Sequence, residues 1–188
     1  MIQAVNLRSG MRYVDSNDLI QVLEANHHKP GKGNTVMRMK LKNIRTGAIF
    51  ETTLRPDEKF EQAYVDTKEV QYLYNDGSNG IFMDNATYEQ YELPLNTIEE
   101  EMKFLVENST CEIQFFGQEV IGVELPTSVN LTVTDTEPRI KGATASGTGG
   151  KPATLVTGLT INVPDFIESG ELIEVSTQHG GEYKSRVS

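Results

Sequence analysis

A lysine flanked by glycines is the residue in this sequence best placed to do chemistry. Lys32 lies in the segment KPGKGN at residues 29–34, between two strand-like stretches. Pro30 fixes its own backbone, and Gly31 and Gly33 permit the positive φ angles of a tight loop tip. We therefore expect Lys32 to project outward at the apex of this loop.

The expected exposure of Lys32 argues against catalysis by its amine. A lysine nucleophile of the Schiff-base kind needs burial or a neighbouring cation to lower its pKa, and only Lys29 is close in sequence. A lysine at a loop tip is, by residue type alone, most simply a solvated turn residue. Residue type therefore leaves the role of Lys32 open.

Histidine and cysteine do not form a metal-binding pattern. His27 and His28 could be combined with Cys111 or His179, but the sequence has no CxxC, no HxxxH and no carboxylate at helix spacing. We therefore predict neither a metal site nor a cofactor.

Motifs for covalent catalysis are also missing. The sequence has no GxSxG elbow, and GTGGK at residues 147–151 lacks the full spacing of a phosphate-binding P-loop. An enzyme acting on a small substrate is the most remote hypothesis, because no acid and base are paired at motif spacing. The sequence indicates a binding protein and no enzyme.

Charge is distributed unevenly along the 188 residues. The net charge is −10, yet residues 1–62 hold 10 Lys/Arg against 7 Asp/Glu, residues 63–127 hold 2 against 13, and residues 128–188 hold 5 against 7. A basic first third suits phosphate, whereas the acidic middle repels it or only aids solubility. The single cysteine and the lack of a signal peptide or an apolar run of roughly 18 residues indicate the cytoplasm and no membrane.

Short apolar segments separated by turn signals predict a mainly β protein built from small antiparallel sheets. Beyond the two strands around Lys32, the expected strands lie at residues 48–54, 69–74, 81–84, 111–116, 119–124, 129–134, 159–163, 172–175 and 183–187. The polar, charged stretch at residues 55–68 places a domain boundary near residue 63, and Pro126, which breaks the strand pattern, places another near residue 127. The resulting domains are 1–63, 64–127 and 128–188.

One strand should carry a basic stripe on one face. Met37, Met39 and Leu41 alternate with cations in the segment VMRMKLK, so the apolar side chains share one face of the strand. The cations on the other face are Arg38, Lys40 and Lys42. A turn at residues 45–47 should then return the chain as the antiparallel partner.

One helix is expected after the acidic middle begins. Thr97 and Glu100 form a capping-box pattern, and Ile98, Met102 and Leu105 fall on one face at helical spacing. We expect this helix to end near residue 108.

A run of small residues at 142–150 is bracketed by Arg139, Lys141 and Lys151. Small side chains let a backbone approach a ligand closely, and the flanking cations suit phosphate. A nucleic-acid-facing loop is one interpretation, and an ordinary flexible loop is the one that composition favours.

Five motifs resemble the elongation factor P family, and together they span the whole chain. They are K-x-A-x4-G-x2-I-x-V-P-x2-I-x2-G at residues 151–170, KPGKG at 29–33, YLYNDG at 72–77, FMD at 82–84 and GEYKSRV at 181–187. The resemblance implies three consecutive small β-barrels, an N-terminal KOW-type barrel of Src-homology-like form and two OB-type barrels, in an L-shaped, tRNA-like arrangement.

The same resemblance implies a translation elongation factor that is expected to be a monomer. It would bind the 70S ribosome between the P and E sites, contact rRNA and promote peptide-bond formation on a prolyl peptidyl-tRNA stalled at consecutive prolines. Lys32 would be lengthened by lysine-modifying enzymes, with Pro30, Gly31 and Gly33 shaping the tip. Candidate contacts to tRNA or rRNA are Lys29, Arg38, Lys40, Lys42, Arg139, Lys141, Thr144, Lys151, Tyr183 and Arg186.

Two positions qualify the resemblance. The family's usual Gly-Asp-Thr is GAT at residues 142–144, so Ala143 replaces a carboxylate and leaves a specific RNA contact by that loop open. A lysine at position 32, where some relatives carry arginine, favours a lysine-type extension over glycosylation. The alternative function is a family paralogue or a general RNA-binding OB protein without lysine modification.

Overall fold

The first sheet of the protein carries the Lys32 segment. The computed structural model describes residues 1–138 and 150–188, and these form three sheets. The first sheet is antiparallel throughout, with strand order β1-β6-β2-β3-β4-β5. Its strands are β1 (Ile2–Gln3), β2 (Arg12–Asp15), β3 (Asp18–His28), β4 (Val36–Asn43), β5 (Ile49–Leu54) and β6 (Lys59–Gln62).

The other two sheets have five strands each. The second, in the order β11-β10-β7-β8-β9, contains β7 (Asp66–Asn75), β8 (Asn79–Met83), β9 (Gln90–Pro94), β10 (Thr110–Phe116) and β11 (Glu119–Glu124). The third is antiparallel in the order β14-β13-β12-β15-β16, with β12 (Ser128–Thr136), β13 (Lys151–Leu155), β14 (Thr160–Val163), β15 (Leu172–Ser176) and β16 (Glu182–Arg186). The mainly β prediction is confirmed.

Contacts divide the chain into two compact units. One contains Met1–Lys68 with Ile113–Gly122, and the other contains Glu69–Glu112 with Val123–Ser188. The domain boundaries near residues 63 and 127 rest on the sequence pattern and stay a prediction. The L-shaped arrangement also stays a prediction. In the part of the chain that the structure describes, no helix has the length and apolar character to cross a lipid bilayer.

Alternation along β4 builds the core of the first sheet. Met37, Met39 and Leu41 are each 2% exposed and pack in one cluster with Tyr13, whose ring centroid lies 4.5 Å from that of Phe60. Burial raises the pKa of Tyr13 to about 12, so its phenol stays neutral at ordinary pH. The predicted apolar face of this strand is therefore confirmed.

The predicted helix at residues 97–108 is wrong in its length and its cap. The α-helix, α1 (Glu99–Met102), has only four residues. The Thr97 hydroxyl does not cap it, and instead donates a hydrogen bond of 2.7 Å to the Pro94 carbonyl. The cause is burial of Phe104, which is 3% exposed and joins the core of the third sheet with Leu131 and Ile173. Tertiary packing of this ring overrides the helical spacing.

Five strands were not expected from the sequence: β1, β2, β6, β9 and β13. β6 lies in the polar stretch at residues 55–68, where Phe60 packs against one core cluster and Ala63 is buried in another. Each of the five is two to five residues long, and β6, β9 and β13 are rich in polar or small side chains. Such segments pair because neighbouring strands offer backbone partners, which local hydrophobic pattern does not record.

We predict that Gly150→Ala destabilises the third sheet far more than Gly158→Ala does. Both glycines have positive φ, 65° and 88°, but a Cβ on Gly150 would lie 2.2 Å from the Val163 carbonyl oxygen, whereas nothing lies within 4 Å of one on Gly158. Backbone strain alone costs about 1 kcal/mol, and the added clash raises the loss at Gly150 to about 2 kcal/mol or more. Urea unfolding of both variants measures the difference, and equal losses would contradict the clash.

Candidate functional site

Lys32 lies in the loop that joins the two longest strands of the first sheet. β3 ends at His28 and β4 begins at Val36, and these two residues are paired in the antiparallel ladder. The seven-residue loop between them therefore starts and ends at the same end of the strand pair. Lys32, within this loop, is exposed. Lys29 is also exposed beside it, so both amines of the loop face solvent.

The two glycines of the loop differ in conformation. Gly33 has φ 114°, which only glycine adopts without strain, and Pro30 Cγ lies 3.8 Å from where its Cβ would be. Gly31 permits a positive φ but does not adopt one. No atom lies within 4 Å of a Cβ placed on Gly31. Gly33 thus fixes the turn, and Gly31 leaves open space beside Lys32.

The stripe of cations on β4 borders a shallow cleft. Arg38 is exposed and Lys40 and Lys42 are half-buried, as expected for the face opposite Met39. Arg38 and Lys40 line the cleft, which has a volume of about 390 Å³ and extends over the neighbouring strands β3 and β5. The cations are therefore accessible, but their neighbours on those strands differ.

Lys40 lies between two acids that the sequence pattern did not reveal. Its Cα partners in the ladder are Glu24 on β3 and Glu51 on β5, and both line the same cleft. Cross-strand pairs of opposite charge attract each other, so these two carboxylates weaken the positive field of Lys40. Only the strand register, which includes a bulge between Val22 and Glu24, brings these carboxylates to it.

Arg38 and Lys42 have neutral cross-strand partners. Arg38 pairs with Asn26 and Thr53, whose amide and hydroxyl groups can also hydrogen-bond to a phosphate. Lys42 pairs with Gln21, and with Ile49 on β5. Of the three predicted contacts on β4, Arg38 thus has the setting that best suits an anion.

Of the cations predicted to flank the small-residue run at 142–150, the structure describes only Lys151. Arg139, Lys141 and Thr144 lie outside the described residues. Lys151 is 7% exposed, and its ammonium donates a hydrogen bond to the Glu137 carbonyl. The expectation of an open contact at Lys151 is therefore corrected, because its charge is buried and already bound by the protein.

The candidates on β16 are held by the third sheet. Tyr183 is half-buried and packs against the core of that sheet. The Arg186 guanidinium forms an ion pair with Glu171 and lies 5.5 Å from the centroid of the Phe166 ring. Phe166 and Glu171 had no sequence signal, because they meet Arg186 only through folding.

Glu171 is kept ionised by its surroundings. The backbone N–H of Glu168, 2.9 Å away, is the main cause of its lowered pKa, and Arg186 and Lys151 add to the effect. Lys184 is similarly bonded to Glu174 at 3.2 Å. The cations of β16 thus have protein partners at neutral pH.

Metal chemistry has no support in the described parts of the chain. Residues 1–138 and 150–188 contain no group of three His, Cys, Asp or Glu arranged to hold a metal ion. Burial raises the pKa of Cys111 to about 12, so this thiol is not poised as a nucleophile.

We predict that Gly33→Ala and Gly31→Ala have different effects on the loop. The positive φ of Gly33 should make its replacement cost about 1 kcal/mol, while Gly31→Ala should stay within about 0.5 kcal/mol of the unchanged protein. Urea unfolding gives the stabilities, and backbone amide chemical shifts of residues 29–35 report the loop conformation. A loop that shifts equally in both variants would show that Gly33 does not fix the turn.

Comparison with known proteins gives matches along nearly the whole chain. The family model for the KOW-like domain of elongation factor P matches residues 3–60, that for its OB domain matches residues 65–123, and that for its C-terminal domain matches residues 129–186. Elongation factor P of Enterococcus faecalis is 59% identical over 180 residues, which are 96% of this chain and 96% of its own. That of Streptococcus uberis is 57% identical over 180 residues, 96% of this chain and 97% of its own.

A solved structure of eukaryotic translation initiation factor 5A from Methanococcus jannaschii aligns with 65% of this chain and 94% of its own, at 25% identity and a TM-score of 0.45. The domain matches and the identity to the two bacterial relatives agree with the mainly β fold and with the motifs noted in the sequence. This chain therefore belongs to the elongation factor P family of translation factors.

Proposed function

We propose that this protein binds the ribosome between the P and E sites and promotes peptide-bond formation at stalled consecutive prolines. It would do so by positioning the prolyl peptidyl-tRNA through an enzymatically extended Lys32. The observation that carries the proposal is the exposed Lys32 at the end of the long β3–β4 hairpin. A lysine that served only to solvate the surface would not need to lie at the tip of two long paired strands.

The exposure of Lys32 supports a positioning role over a catalytic one. A lysine acting as base or nucleophile needs a buried or cation-rich site, and this loop offers neither. An exposed amine is, however, readily reached by a modifying enzyme. Gly31, next to Lys32, has no side chain and open space around it, which leaves room for the modifying enzyme and later for RNA.

The energetic benefit would come from ordering the substrate. A prolyl ester reacts slowly when its reacting atoms are poorly aligned, and fixing the tRNA end raises the fraction of near-attack geometry. An extended lysine can donate hydrogen bonds from its charged amine to phosphate or ribose oxygens. The ribosome would supply the chemistry, and this protein would supply the geometry.

Phosphate contacts by the first sheet would centre on Arg38. Its guanidinium is exposed and flanked by neutral hydrogen-bonding groups, whereas Lys40 is flanked by two carboxylates. Lys29 and Lys42 are further candidates, since the first is exposed and the second has no acidic cross-strand partner. Together these cations would lie along the acceptor stem and nearby rRNA.

The third sheet would contribute less direct charge. Arg186 could bind a phosphate only by exchanging Glu171 for it, and Tyr183 could stack only with the part of its ring that packing leaves free. Arg139, Lys141 and Thr144 stay candidates from sequence alone. The monomeric state and the cytoplasmic location also stay predictions.

We predict that Arg38→Ala weakens RNA binding more than Lys40→Ala. Losing one phosphate contact should lower the affinity for an acceptor-stem RNA duplex several-fold and reduce the slope of log K against log salt by about 1, because one fewer counterion is released. Lys40→Ala removes a cation whose cross-strand neighbours are Glu24 and Glu51, so it is the matched control. Titrations at several salt concentrations measure both, and equal slopes in the two variants would contradict the assignment.

We also predict that Lys32→Ala abolishes the stimulation of proline-rich synthesis. In a reconstituted extract lacking the native factor, it should reduce the rate on a template with consecutive prolines by about 10-fold or more and leave a proline-free template unchanged. Lys59→Ala removes an exposed lysine outside the loop and leaves the tip lysine in place, so it should retain the activity. Full activity of the Lys32→Ala variant would contradict the proposed role of Lys32 at the loop tip.

A further inference from the structure

Arg45 joins three turns of the first compact unit. It lies between β4 and β5, and its Nε and Nη2 donate to the two carboxylate oxygens of Glu119 at 3.0 Å each. Its Nη1 donates to the Asn17 carbonyl in the β2–β3 turn. Glu119 follows the β10–β11 turn, so the guanidinium on the β4–β5 turn bonds to residues at two other chain reversals.

The Arg45 turn is held firmly in place. The Asn43 side-chain oxygen accepts hydrogen bonds from the backbone N–H groups of Arg45 and Thr46, at 3.0 and 3.2 Å. The adjacent Ile44 N–H donates to the Leu19 carbonyl at 2.9 Å. These hydrogen bonds tie the Arg45 turn to the ends of β3 and β4, so the turn moves together with those two strands.

A small apolar cluster lies at the same end of the sheet. Leu19, Ile44, Ala63 and Ile121 are buried together, and Ile121 comes from the hairpin at residues 113–122. Apolar packing is not directional, so this cluster holds the hairpin against the sheet without by itself defining the angle between them. A bidentate guanidinium–carboxylate pair does fix an angle, because two parallel hydrogen bonds must align.

The Arg45 turn and the Lys32 loop lie at opposite ends of one pair of strands. β3 runs from Asp18, beside the Arg45 contact with Asn17, to His28, beside the loop. Its 11 residues span about 33 Å at about 3.3 Å per residue. A rotation of about 10° at the Arg45 end would therefore move the tip by about 6 Å relative to the hairpin.

We propose that Arg45 is a positioning residue for Lys32. By holding Glu119, it sets the angle between the hairpin at residues 113–122 and the strand pair that carries the tip. The inference rests on the proposed function, in which the tip must reach a defined place. Displacements near 1 Å already impair reactions that depend on alignment.

The contribution is to geometry more than to stability. The two side chains are 39% and 45% exposed, and ion pairs at such exposure add little to the free energy of unfolding. Loss of the pair should therefore leave a folded protein in which the hairpin explores more angles. This separates a positioning role from a structural one.

The test compares Arg45→Ala, Arg45→Glu and the exchange Arg45→Glu/Glu119→Arg with Arg55→Ala. Arg55 is exposed and pairs only locally, with Asp57 and Glu58, so it is the matched arginine control. We expect Arg45→Ala to slow synthesis on the consecutive-proline template roughly 10-fold, with Arg45→Glu slower still because two carboxylates then face each other. The exchange should recover part of the rate, and Arg55→Ala should retain it. An exchange no better than Arg45→Glu would overturn the inference.

A distance measurement supplies the readout that a purely structural role would not move. Spin labels on Asn34→Cys and Gln118→Cys, both exposed, report the distance from the loop to the hairpin, and the buried Cys111 is shielded from labelling. We expect a broader distance distribution in Arg45→Ala at an unchanged melting temperature, and a narrower one in the exchange variant. An unchanged distribution would overturn the inference.

Failure of this inference and failure of the proposed function give different results. If Lys32→Ala is fully active, the proposed function fails and the inference falls with it. If Lys32→Ala is inactive while Arg45→Ala is fully active with a narrow distance distribution, only the positioning role fails.

Discussion

Backbone pairing between β3 and β4 is the constraint on which the rest of this structure depends. The ladder from Ile20 opposite Asn43 to His28 opposite Val36 makes a stiff arm with the Lys32 loop at one end. The same register turns Met39 into the core and Arg38 outward, because side chains alternate along a strand. One set of hydrogen bonds thus sets the position of the tip, the core beneath it and the cations beside it.

Features that depend on local alternation and turn chemistry could be predicted from the sequence. The opposite faces of Met37 and Arg38 follow from a period of two, and Gly33 has the positive φ expected of a tip glycine. The expected strands at residues 69–74 and 81–84 likewise pair as β7 and β8, because turn residues around Gly77 separate two strand-like segments. In each case the information lies within a few residues.

Features that depend on contacts distant in sequence could not be predicted. Of the two acids beside Lys40, Glu24 depends on the bulge in β3 and Glu51 on the pairing of β5. The buried ammonium of Lys151 is bound by the Glu137 carbonyl, and Phe104, just beyond the short α1, packs into the core of the third sheet. The ion pair of Arg45 with Glu119 spans 74 residues of sequence. Such pairings decide which charges remain available to a partner, so the charge of a segment alone is a poor guide to its surface.

In the proposed function, Lys32 is an exposed amine that another enzyme extends before the factor acts on the ribosome. Mass spectrometry of the peptide containing residues 29–34, from protein purified out of its own cells, tests this claim most directly. We expect added mass located on Lys32, with Lys29 unmodified in the same peptide. A Lys32 peptide at the mass of its sequence alone would contradict the extended tip and favour a factor that acts through shape and charge without modification.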